Sequence, residues 1–81
     1  MFCDLFDKTT NTLVEAKGSV ARPAFRMAIG QLADYARLVD PEPQKAILVP
    51  QEPRQDLIRL AASQGVMVIW PSGAGFEAHG A

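Results

Sequence analysis

Two short, uninterrupted apolar runs, Ala46-Ile47-Leu48-Val49 and Val66-Met67-Val68-Ile69-Trp70, set the tightest limit on what this chain can fold into. Neither approaches the roughly 20 residues of a membrane span, and neither alternates polar with apolar as a half-exposed strand does. A strand that is apolar on both sides reads as one buried on both faces, the habit of parallel sheets covered above and below. Between the runs, Pro53 opens a helix that ends near Gln64, with Gly65 as its stop. Upstream, Gly18-Ser19 leads into a helix over residues 20–39, where Pro23 is tolerated because the first-turn N–H has no partner anyway. The stiff linker Asp40-Pro41-Glu42-Pro43-Gln44 cannot continue that helix. A hairpin over residues 2–17 precedes it. The order β-β-α-β-α-β predicts an α/β fold, a small mixed sheet flanked by helices. Residues 1–71 form one domain in this reading. Residues 72–81, rich in Gly and Ala, form a loosely held tail with Phe76 tucked back.

Size and charge narrow the possible functions. A chain of 81 residues buries only about 60% of its unfolded surface and is marginal alone. The net charge of −1 lacks the basic balance of a dedicated nucleic-acid binder. Positive charge is local instead: Lys17, Arg22, Arg26 and Arg37 gather around the first helix. The single cysteine, Cys3, has no partner for an internal disulfide, which fits a reducing, cytoplasmic compartment. No signal-peptide pattern opens the chain, and no membrane partner is expected. There is no zinc-ligand spacing, no Gly-rich phosphate loop and no Ser-His-Asp set; the only histidine, His79, lies in the tail.

The chemistry concentrates in the hairpin. In Thr12-Leu13-Val14-Glu15-Ala16-Lys17-Gly18, strand residues two apart share a face, so Glu15 and Lys17 project side by side. A carboxylate beside an ammonium can hold a divalent metal and a water together. If the hairpin pairs symmetrically about Lys8-Thr9-Thr10-Asn11, Asp4 faces Glu15 and Asp7 faces Thr12. Opposed Cβ atoms then sit about 4.5–5.5 Å apart, close enough for two carboxylates to share one ion. Asp7 is the alternative first acid, but an Asp beside a turn is unremarkable, whereas Asp4 lies within the strand, where Asp is disfavoured. The turn does not itself fix the register. The plain alternative is a surface strand with an in-row ion pair, worth little.

On the first helix, Arg22, Arg26 and Arg37 fall on one side at about 100° per residue, beside an apolar arc of Phe25, Ala28, Ile29, Leu32, Ala36 and Val39. Gln31 and Tyr35 lie at the far margin of that arc. The arginines are either a solvated face or a phosphate-binding one.

Asp4, ten intervening residues and then Glu15-Ala16-Lys17 resemble the motif of the PD-(D/E)XK nuclease superfamily, the restriction-endonuclease-like fold. Gln31-Leu32-Ala33-Asp34-Tyr35, a Gln-x-x-x-Tyr on the following helix, looks like its RecB-like branch, and the resemblance spans residues 2–71. It implies that Asp4 and Glu15 ligate Mg2+ or Mn2+, with the Ala16 backbone carbonyl as a further ligand. It makes Lys17 the residue that orients water or stabilises charge, and brings Gln31 and Tyr35 beside the metal or the substrate, with Arg22 and Arg26 on DNA phosphates. The implied activity is Mg2+-dependent DNA cleavage. That fold usually begins with a further helix and strand, absent here, which leaves a sheet edge or face uncovered. A dimer, or a place in a longer parent domain, is then expected. The competing readings are a degenerate module that binds DNA or a protein without cutting, and a plain oligomerisation domain.

Overall fold

Both apolar runs become central strands of a five-stranded mixed sheet in the computed structural model, which describes residues 5–80. In chain order the elements are β1 (Leu5–Asp7), β2 (Thr12–Ala16), α1 (Arg22–Ala36), β3 (Gln44–Leu48), α2 (Gln55–Ser63), β4 (Val66–Ser72) and β5 (Gly75–His79). The strands lie side by side in sequence order. β2, β3 and β4 run parallel, while β1 and β5 add antiparallel edges. The hairpin register is the expected one at its turn, with Asp7 opposite Thr12 and Leu5 opposite Val14.

Sheet order also decides where the helices go. Successive parallel strands step across the sheet in one direction, so right-handed crossovers deliver both helices to the same face. Phe25, Ala28, Leu32 and Ala36 of α1 and Leu57, Ile58 and Ala61 of α2 share one core with Leu13, Ile47, Val66, Val68 and Trp70 of the sheet. Thus the helices do not flank the sheet. The helix side of the two apolar runs is buried, whereas on the other side Ala46 is buried between its neighbours and Val14, Leu48, Met67 and Ile69 stay half-buried. Among the described residues no helix packs on the other face of the sheet.

The tail is the main correction. Residues 72–81 were expected to be loose, yet β4 continues through Pro71 to Ser72 and β5 pairs with it from Gly75 opposite Ser72 to His79 opposite Val68. Gly73 adopts a φ of 58°, which a tight two-residue hairpin turn needs and glycine supplies without strain. Phe76, expected to tuck back, is 70% exposed. His79 stacks on Trp70 at 5.0 Å between ring centroids and reaches Glu77 Oε2 at 2.9 Å.

Asn11 fixes the other end of the sheet. Its φ is 54°, a left-handed conformation that Asn tolerates better than most residues. Its Nδ2 donates to the carbonyls of Pro41 and Glu42 at 3.1 and 3.2 Å, and its own carbonyl accepts from the Gln44 N–H at 2.8 Å. The hairpin turn is thereby tied to the linker that enters β3. Among the described residues no helix is long and apolar enough to cross a membrane.

Candidate functional site

Alternation along β2 turns Leu13 and Glu15 toward the helices and Val14 and Ala16 toward the open face. Leu13 is fully buried, and Glu15, opposite the fully buried Ile47 of β3, is only 4% exposed. A carboxylate therefore stands in an otherwise apolar row. One residue past the strand, the Lys17 N–H donates to the Leu48 carbonyl at 2.9 Å, extending the parallel pairing. That bond sets Lys17 on the same face as Glu15, and its Nζ lies 3.3 Å from Glu15 Oε2. The Lys17 side chain retains 18% exposure, through a shallow groove at the strand ends lined by Gly18, Leu48, Pro50, Pro71 and Phe76.

Glu15 Oε1 is buried and accepts no hydrogen bond. Leaving a buried acceptor unmet costs about 1–3 kcal/mol, and more when it is charged. Gln31 Oε1 is the other such oxygen among the described residues. Gln31 lies about half a turn around α1 from Arg22, which reaches across to Asp56 of α2. Gln31 therefore occupies the margin of α1 that faces away from α2. Tyr35, one turn later, is half-buried and packs against the core.

The arginines divide. Arg22 is paired with Asp56 and Arg37 with Asp34, both in exposed ion pairs. Arg26 is exposed and has no ion-pair partner among the described residues. Asp4, the expected first acid, lies outside the described residues. Asp7, its alternative, is exposed, and its Oδ1 accepts the Thr9 N–H at 2.9 Å. It pairs three residues along β2 from the level of Glu15, about 10 Å away. Ala16 ends β2 with its side chain on the open face. Among the described residues no three His, Cys, Asp or Glu side chains come together.

A hard divalent cation takes oxygen ligands and keeps several of its waters. Glu15 Oε1 is an anionic oxygen with nothing bound to it, and is the described atom that such an ion would engage first.

No family model, curated protein or solved structure matches the chain. Its function must therefore be argued from the site's own chemistry. The sequence identified Glu15 and Lys17 as neighbours but read them as strand-surface residues in the plain alternative. The signal for burial was there, because Glu15 is in phase with Leu13. The Asn11 tie had a weaker signal, an Asn at the end of a four-residue turn.

Proposed function

We propose that this chain is a metal-dependent phosphodiesterase domain of the PD-(D/E)XK type, acting on DNA. The observation that carries the reading is the Glu15 carboxylate, buried among apolar neighbours, held by Lys17 through one oxygen and uncommitted at the other. A leucine at that position would pack against Leu13 and Ile47 without the penalty of burying a charge. Buried ion pairs add little or no net stability over well-packed apolar residues, so stability alone does not account for Glu15.

Glu15, with Asp4 and the Ala16 carbonyl, would hold Mg2+ or Mn2+. Such an ion lowers the pKa of a bound water and offsets charge on a phosphate. The chain's own groups do the rest. Lys17, partly open to the groove, orients the water or balances charge developing on the phosphate, a task suited to a compact ammonium. Arg26 would meet a neighbouring phosphate, and Gln31 Oε1 would accept a hydrogen bond from a metal-bound or substrate-bound group. In the reaction a water oxygen bonds to phosphorus, the ester P–O bond breaks, and the leaving oxygen takes up a proton.

A second reading, a nuclease-like module that binds DNA or a protein without cutting, is favoured by one observation: among the described residues no three His, Cys, Asp or Glu side chains come together around Glu15. The deciding experiment incubates the protein with plasmid and single-stranded DNA in Mg2+ or Mn2+, beside Lys17→Ala. Metal-dependent cutting that the variant lacks supports the enzyme. DNA retention without cutting supports the second reading.

A further inference from the structure

We propose that the open face of the sheet docks onto the same face of a second copy of this chain, about a twofold axis. Helices cover one side of β2, β3 and β4, whereas the other side presents Val14, Leu48, Met67 and Ile69 half-buried. At its two edges Leu5 is 58% and Phe76 is 70% exposed. Pairing places all six side chains on one surface, since Leu5 is opposite Val14, Leu48 opposite Ile69, and Phe76 opposite Pro71, two residues on from Ile69.

Size and charge together select the occupant. Five strands spaced about 4.8 Å apart and about five residues long make a face of roughly 24 by 17 Å. A single helix about 10 Å wide, laid along the strands, would leave more than half of it in water. A second copy of the face covers all of it in one contact. Nothing in the apolar patch repels such a copy: among the described residues the only charged side chain on this side of the sheet is Asp7, at the turn end. A twofold contact is self-complementary and closes after two chains. Two such faces stack about 10 Å apart with strands about 30° off parallel, as in sheet sandwiches.

Area sets the strength. The outline is roughly 400 Å2 per copy, about 800 Å2 for the pair before side-chain relief is counted, at the weak end of specific interfaces. A contact of that size makes the dimer weak and concentration-dependent. It does not rest on the nuclease reading, because none of its six side chains is Glu15 or Lys17, although Leu48 and Phe76 also line the groove through which Lys17 is exposed.

Sedimentation equilibrium of the whole chain from about 5 to about 500 µM tests this, a span that brackets a micromolar Kd. The expected result is a mass rising from one chain to two. Ile69→Lys should remain monomeric with an unchanged far-UV circular dichroism spectrum. Phe76→Ser should raise the Kd at least about tenfold, since each Phe76 is counted twice in a twofold contact. Should Ile69→Lys fail to fold, Phe76→Ser decides, because its side chain is already largely in water. A wild-type monomer throughout the range overturns the proposal. So does association that neither variant weakens, or growth beyond two chains.

Discussion

Lys17 Nζ lies 3.3 Å from Glu15 Oε2 in an apolar row, and the pair leaves Glu15 Oε1 without any partner. Such an arrangement adds little or no stability over well-packed apolar side chains. The two halves of the pair should therefore respond in opposite ways to substitution.

Glu15→Leu fills the row with an apolar side chain, and its Tm should equal or exceed that of the wild type. Lys17→Ala instead strands the buried carboxylate. Its cost should be about 1–3 kcal/mol, limited because the carboxyl group can take up a proton, and its Tm should fall by roughly 5–15 °C. Thermal melts followed by circular dichroism check both. A Glu15→Leu protein clearly less stable than wild type would mean that Glu15 is structural, and would remove the main support for the enzyme.

Manganese should stabilise the wild type and leave Glu15→Leu unmoved. A ligand at about 100 times its Kd adds about 2.7 kcal/mol, or roughly 10–20 °C for a domain of this size. A melting series in rising Mn2+ reads this directly. Equal shifts in both proteins would place the ion elsewhere.

Asn11 combines a left-handed backbone with two side-chain hydrogen bonds to the linker before β3. Asn11→Ala loses both and should cost about 2–3 kcal/mol in urea unfolding. Asn11→Gly keeps the backbone freedom and should cost about 1 kcal/mol less than the alanine variant. If the two variants unfold at the same urea concentration, the backbone contribution is absent.

Asp56 sits in the first turn of α2 and accepts hydrogen bonds from Arg22 of α1 and from Arg54. All three side chains are well exposed, so Asp56→Ala should cost only about 1 kcal/mol, from the ion pairs and the helix dipole together. In about 1 M salt most of that difference should vanish, because charges at the surface are screened within about 3 Å. A difference that survives high salt would show that Asp56 acts through packing.

The legible parts of the fold were those written in local pattern. Two apolar runs, a Pro-opened helix and Gly65 fixed the order of the central elements, and Asp7 paired with Thr12 as the turn symmetry required. An apolar run tells what both sides of a strand are made of, but not what lies against them. The two-layer arrangement therefore escaped, since it follows from sheet order. β5 escaped because Gly73 and Gly75 were read as looseness when Gly73 makes a tight turn. At the site, the side-by-side placement of Glu15 and Lys17 was readable from spacing two apart. The engagement of Arg22 was not, because Asp56 is 34 residues away and no periodicity links the two.

The matching of strand order to sequence order has a consequence for synthesis on the ribosome. Each new strand needs only the edge left by the one before it, so no segment must wait for a later one or thread between strands already paired. The sheet can grow in the direction of translation, with each helix sealing the row of side chains just laid down. The growing edge, and not the finished face alone, is then where the nascent chain is most open to wrong partners.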